Sequence, residues 1–413
     1  MIIRNHYVDS IMFDLFSDEI RREPFSLYAH MREASPVFHE AKSDLWMIFD
    51  YDGVKRALND QEFFSSNPMT ANHPAPQWII FMDPPRHMKL RALVAKAFTP
   101  KVVANLEPRI KELSRTLLEE QIDRGEMDVA TQYAVPLPMK VIAELIGIPI
   151  SDWERFRHWS DVILKLSYIV RGISDPQDAA KIGAEVSLTM AEIKAYLPTL
   201  VADKKAHPKE DLLTGLALAE VDGERLSEEE LLGFFQLLIV AGQETTANLI
   251  NNAIICLLDH PDQMALLRGS PHLLPSAIEE VLRYRSPIQW TFRATKRDVA
   301  MGRQVIPKGK LLLAVMGSAN RDSSQFRDAD SFDIARDPNP HLAFGHGLHF
   351  CLGAPLARME ARIALTDLLS RMTNIEFASE HPWPPRKALH VHGPGSLPIR
   401  FDAIASGTAA RVD

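Results

Sequence analysis

Apolar positions along the chain recur mostly with helical spacing, and strand signals are few. The strand signals are Leu45 to Phe49, Arg303 to Val315 around the turn-forming Pro307-Lys308-Gly309, and the C-terminal run LHVHGPGSLPIRF with Gly393-Pro394-Gly395 as its turn. Asp83-Pro84-Pro85 predicts a helix start, a capping carboxylate before proline, and opens RHMKLRALVAKAF. On that helix His87 and Arg91, four residues apart, share one face. Just upstream, SSNPMTANHPAPQ has three prolines and no periodicity, which predicts an irregular loop between two helices.

The longest pattern starts at Ser227, which has capping-box spacing to Glu230, and runs without proline to His260-Pro261. That is about 30 residues, or roughly 45 Å of helix. Its middle breaks the pattern. The apolar run FFQLLIVAG passes directly into Gln243-Glu244-Thr245-Thr246, placing polar side chains where a buried helix would continue apolar. A polar break at such a place marks a candidate reaction site.

Composition narrows the function classes. Hydrophobic residues make up 46% and charged residues 24% of 413, which suits a globular protein with a large core. No repeat, low-complexity tract or linker is visible, so one domain over 1–413 is expected. The net charge of -8, with no long basic run, argues against nucleic acid as a partner. Arg4, Asp9 and Asp14 interrupt the N-terminal segment, and the apolar run Leu231 to Ala241 contains Gln236 and falls far short of the ~20 residues a span needs. No membrane anchor is expected. The only cysteines are Cys256 and Cys351, too few for a disulfide framework or a four-thiolate cluster, so a reducing cytoplasm is the expected location.

Phe344-Gly345-His346-Gly347-Leu348-His349-Phe350-Cys351-Leu352-Gly353 surrounds one of these thiols with three glycines, and the helical pattern APLARMEARIALTDLL follows. Glycines let peptide N–H groups approach a sulfur closely, and a helix starting just after Cys351 directs its positive end at a thiolate. With 19 Phe, 19 Gly and 2 Cys in the chain, the spacing F-G-x-G-x-x-x-C-x-G arises by chance with a probability on the order of 10⁻⁵. A thiolate ligand to haem iron favours O–O cleavage, which gives such a sulfur a chemical purpose. Zinc is the competing occupant, because His341, His346, His349 and Cys351 are close in sequence. Their spacing lacks the paired ligands of a closed zinc site and leaves the glycines and the break at Glu244 without a role.

The cysteine loop resembles the haem-binding signature of the cytochrome P-450 family at every fixed position. Ala241-Gly242-Gln243-Glu244-Thr245-Thr246 is similar to that family's oxygen-activation segment, Glu280-Val281-Leu282-Arg283 to its Glu-x-x-Arg motif, and Arg336 stands where the family completes the ion network. The resemblance covers nearly the whole chain. It implies a mainly α fold with a minor β region, with haem b between a long distal helix and the helix after the cysteine loop. It also implies an O2-dependent monooxygenase that hydroxylates C–H bonds. Cys351 would be the metal ligand, with Phe344 and Gly353 in the haem-binding loop and His87, Arg91, Arg293 and His349 binding the propionates. Arginine suits that role, because it offers paired donors and keeps its charge.

By the same resemblance, Glu244 and Thr245 form the catalytic pair for proton delivery, and Leu237, Ala241 and Ile288 face a small apolar substrate, with the loop Asn67 to Trp78 as part of the roof. Fatty acids, terpenoids, steroids and macrolides all suit such a pocket. Trp290 is larger than the residues expected nearby. Peroxide-using members replace the acid and alcohol pair, so its presence favours electrons from a separate ferredoxin and ferredoxin reductase. Arg358 is a candidate contact for that donor. The alternative is a haem-thiolate protein without oxygenase activity, an isomerase or a sensor, which would not need Glu244 and Thr245.

Overall fold

In the computed structural model, residues 17–67, 77–168, 175–220, 223–378 and 383–404 are described, and helices predominate among them. Ten strands form β1 (Val37–Glu40), β2 (Leu45–Ile48), β3 (Phe64–Ser65), β4 (Glu126–Asp128), β5 (Thr291–Thr295), β6 (Val299–Met301), β7 (Gln304–Ile306), β8 (Leu311–Ala314), β9 (Met372–Phe377) and β10 (Pro398–Ala403) among these residues. The main sheet has the order β1-β2-β8-β5-β3, with β2 and β8 parallel and the other pairs antiparallel.

The strand Leu45–Ile48 is apolar throughout because both of its faces are covered. Trp46 and Ile48 pack with Tyr51, Val54 and Leu58, while Leu45 and Met47 point the other way to Tyr28, Met31 and Phe49. Two strand expectations need correction. The segment around Pro307 gives two strands in different sheets: β7 pairs with β6, whereas β8 enters the main sheet. Near Gly393 there are only isolated bridges, Ile288 to Val391 and Pro385 to Pro394, and β10 pairs with β4 and β9. β7 pairs with its immediate neighbour β6, whereas β8 and β10 find partners distant in sequence, which local turn chemistry does not encode.

The capping box at Ser227 forms, with Glu230 N–H donating to the Ser227 hydroxyl at 3.2 Å and Ser227 N–H donating to the Glu230 carboxylate at 2.9 Å. The long helix it opens is divided into Glu228–Ala241 and Gln243–Asp259. Gly242 lies at the division, where an added Cβ would meet Ile142 at 3.2 Å. The second half runs through the core, with Ala247, Ile250, Ala253, Ile254 and Cys256 at most 1% exposed. It packs against Pro136–Ile146, Leu274–Tyr284 and Ala354–Arg371. Burial pushes the Cys256 thiol up to about 12, as befits an inert core residue.

Glu280 and Arg283, both fully buried, pair twice at 2.8 Å on the helix Leu274–Tyr284. The remaining Arg283 donors reach the carbonyls of Asn320, Ala329 and Ser331. Arg336, Asn339 and the Asp333 N–H complete the shell around Glu280. The expected ion network is present, and its hydrogen bonds offset the cost of burying charge. Asp83, by contrast, does not cap a helix. Pro85 precedes Arg86–Ala97 without a side-chain cap, and the Asp83 carboxylate instead accepts from Ser65 Oγ at 2.5 Å and Ser66 N–H at 2.8 Å.

Candidate active site

The cysteine loop owes its path to its glycines. Gly345 and Gly347 have φ of 75° and 71°, in the left-handed region where side chains are strained. A Cβ on Gly347 would also come within 2.3 Å of Asn59 Oδ1. The loop is closed by Cys351 N–H donating to the Phe344 carbonyl at 2.8 Å and by Phe350 N–H donating to the Gly347 carbonyl at 3.0 Å. Gly353 then forms the N-cap of Ala354–Arg371.

Burial pushes the Cys351 thiol up, while the N–H groups of Gly353 and Ala354 and the charges of Arg91 and Arg358 pull it down. The sulfur is therefore surrounded by the donors and cations that favour a thiolate once a ligand draws the proton off. Cys351 itself is only half-buried.

Four more predicted residues converge beside the loop. His87 stacks on His349 with ring centres 4.0 Å apart. Arg91 Nη2 donates to the Phe350 carbonyl at 2.7 Å, and Arg293 Nη1 donates to the Phe292 carbonyl at 2.7 Å. Burial and neighbouring cations depress the group: Arg293 to about 10, by burial, and His349 to about 3, by burial with His87, Arg293 and Arg91. His87 is 1% exposed, and its Nδ1 has no partner among the described residues. Two guanidiniums and two imidazoles with mutually depressed affinities for protons form a ready site for an anion.

The zinc alternative is not assembled. His341 turns to Glu279, with Nε2 and Oε2 3.1 Å apart, and among the described residues no group of three or more His, Cys, Asp or Glu is placed to hold a metal ion.

At the division of the central helix, Ala241 is exposed and Thr245 half-exposed, although Ile239, Gln243, Thr246 and Ala247 around them are buried. That face is accessible to solvent. Thr245 Oγ1 donates to the Ala241 carbonyl at 2.8 Å, a hydroxyl competing for a helix acceptor. Glu244 is 8% exposed, and its Oε2 has no partner among the described residues. Burial pushes its carboxyl up, opposed by Arg386 and Arg21.

Leu237 lies in the large helical core, while Ile288 packs toward the sheet. Trp290 is 5% exposed and joins the small core of Tyr28, Met31 and Phe49, so its bulk is accommodated under the sheet. Most of the loop Asn67 to Trp78 lies outside the described residues, but Trp78 Nε1 donates to Gln236 Oε1 at 3.3 Å on the central helix.

Several polar residues near the division had no signal in the sequence. The charges of Arg21 and Arg386, far apart in sequence, act on Glu244, and the fully buried Asn248, Asn251 and Asn252 all have polar atoms without partners among the described residues. Arg358 does not stand free, because it forms two 2.7 Å bonds to Glu279.

The family model for cytochrome P450 matches residues 16–143 and 185–392. The chain is 42% identical over 364 residues to the putative cytochrome P450 YjiB of Bacillus subtilis, covering 87% of this chain and 90% of that protein. It is 39% identical over 396 residues to the cytochrome P450 monooxygenase PikC of Streptomyces venezuelae, covering 92% and 91%. The crystal structure of CYP109E1 from Bacillus megaterium in complex with testosterone superposes with a TM-score of 0.83 at 39% identity, covering 92% of this chain and 99% of that one. Taken with the cysteine loop, the divided central helix and the Glu280–Arg283–Arg336 network, these matches establish that the chain belongs to the cytochrome P450 family and is a monooxygenase of that family.

Proposed function

We propose that Cys351 is the axial thiolate ligand of a haem b whose carboxylates are bound by His87, Arg91, Arg293 and His349. The observation that carries this is a cluster of two guanidiniums and two imidazoles: His87, Arg91, Arg293 and His349 meet beside the cysteine loop with no carboxylate paired to any of them among the described residues. Phe344 and Gly353 shape the loop that holds the sulfur. Bound there, the haem supplies activation of dioxygen for insertion of one oxygen atom into a C–H bond.

The chain's own residues then position and protonate. Glu244 takes protons from the side of Arg21 and Arg386 on a carboxyl whose hold on its proton burial strengthens. The Thr245 hydroxyl, one residue on, passes them toward the accessible face of the helix when it leaves the Ala241 carbonyl. Each turnover consumes two electrons and two protons and releases one water. Leu237, Ala241 and Ile288 contribute apolar surface to a small substrate, and one relative's structure contains testosterone, which favours the steroid end of the range. The chain works as one haem-binding domain in the cytoplasm, with electrons from a ferredoxin and its reductase.

The test is the spectrum of the reduced, haem-loaded protein with carbon monoxide, in the wild type and in Cys351→His. A thiolate signature that is lost in the variant is expected. A histidine-type spectrum in the wild type would refute the reading. A steroid, fatty-acid and macrolide panel identifies the substrate class by oxygenated product, and product from another class with none from steroids would refute the steroid preference.

A further inference from the structure

Arg358 lies seven positions beyond Cys351, on the helix Ala354–Arg371. Its Nε donates to Glu279 Oε1 and its Nη2 to Glu279 Oε2, both at 2.7 Å. His341 Nε2 stands 3.1 Å from the same Oε2. The guanidinium carbon lies 4.6 Å from the centre of the Phe344 ring, and the Phe344 carbonyl accepts the Cys351 N–H at 2.8 Å. One chain of contacts thus runs from Glu279 through Arg358 and Phe344 to Cys351.

Two side-chain cations act on the Cys351 sulfur, and they are held differently. Arg91 donates to a neutral carbonyl, that of Phe350. Arg358 is clamped in a two-bond pair to a carboxylate, which Arg358 and His341 hold down to about 2 against the opposing effect of burial. Glu279 therefore remains an anion throughout the working pH range, and it cancels part of the field that Arg358 exerts on the sulfur. A planar guanidinium lying over an aromatic ring and paired by both edges has little freedom to swing toward a docking protein. That makes Arg358 a poor candidate for the donor contact expected from its position in the sequence.

We propose that Glu279 and Arg358 act as a pair of positioning residues that set the reduction potential of the haem through Cys351. This rests on the reading of Cys351 as the iron ligand. The step concerned is transfer of one electron from an external one-electron donor to the haem, in which no bond forms or breaks and no proton moves. The site becomes one unit more negative, so a nearby cation favours the reduced state and a nearby anion opposes it.

The two partners should therefore have opposite effects, measured as the ratio of reduced to oxidised haem at a fixed poise in the haem-loaded protein. Glu279→Gln should raise that ratio at least threefold, Arg358→Gln should lower it at least threefold, and the double variant should return near the wild type. Arg358→Lys, which keeps the charge but loses the two-bond geometry, should fall closer to the wild type than Arg358→Gln. Single variants that shift the ratio in the same direction, or leave it unchanged, would overturn the proposal, since a merely structural brace predicts a common direction. If Arg358→Gln does not fold, the sign for Glu279→Gln decides: a lowered or unchanged ratio rejects the idea. The carbon monoxide spectrum, recorded in parallel, separates this failure from the other. A wild type without thiolate ligation overturns the functional reading itself, whereas intact ligation with no opposed shifts overturns only the role of the pair.

Discussion

Glu244 is the residue whose chemistry depends most on its surroundings. Burial raises its carboxyl above the usual carboxylate range, and Arg386 and Arg21 oppose this from a distance without pairing with Oε2. A raised carboxyl keeps its proton to higher pH and loses it as pH rises through the shifted value. Product formation should therefore fall on the alkaline side of the profile in the wild type, and Glu244→Gln should lack that limb while forming product roughly 10²-fold more slowly. Initial rates measured across pH check both parts, and an unaltered limb in the variant would assign it to another group. Thr245→Val keeps the shape of the side chain but removes the hydroxyl that now donates to the Ala241 carbonyl. It should divert reductant from product to peroxide, read as product formed per reductant consumed, with little change in substrate affinity. Both side chains were candidates from sequence because a polar break in an apolar helix is a local signal. Arg21, Arg386 and Glu279 were not, because their partners are brought to them only by the fold.

Elements were legible wherever their causes are local. The capping box at Ser227, the glycines of the cysteine loop and the helix after Cys351 are each specified within a few residues, and each formed as expected. Asp83 was misread because Ser65 and Ser66, nearly twenty positions upstream, draw its carboxylate away from the helix end. The segment around Pro307 was read correctly as extended on both sides of its turn, but β7 pairs back with the adjacent β6, and the partners of β8, which are β2 and β5, lie in other parts of the chain. The cysteine loop gives the sharpest test at this scale. Gly347→Ala incurs strain from φ of 71° and an approach of 2.3 Å to Asn59, whereas Gly223→Ala, at φ of 77° with nothing within 4 Å, incurs strain alone. The conformational part costs about 1–3 kcal/mol. Both variants should melt lower than the wild type, but only Gly347→Ala should also release haem, measured as the haem-to-protein ratio after gel filtration.

Across the whole molecule, the fold brings Arg22, near the start of the described residues, and His392 together over the central helix, and His392 stands at that junction. It is 1% exposed, its Nε2 lies 3.0 Å from the Arg22 carbonyl, and its carbonyl accepts from Asn252 on the central helix. Burial, reinforced by Arg285, lowers its imidazole to about 3. The folded protein therefore keeps His392 neutral while the unfolded chain takes up a proton below about pH 6.5. A depressed folded value means that stability is highest above the unfolded value and declines as pH falls from there toward 3. Between pH 7.5 and 5.5 the loss from this one group is about 1.4 kcal/mol. His392→Gln retains an amide that can donate to the Arg22 carbonyl but cannot take up the proton, so its loss of stability over that interval should be smaller than that of the wild type by about 1 kcal/mol. Denaturant unfolding of both proteins at the two pH values measures this directly. Equal losses would mean that His392 titrates alike in the folded and unfolded chains, and that the junction over the central helix is open to water.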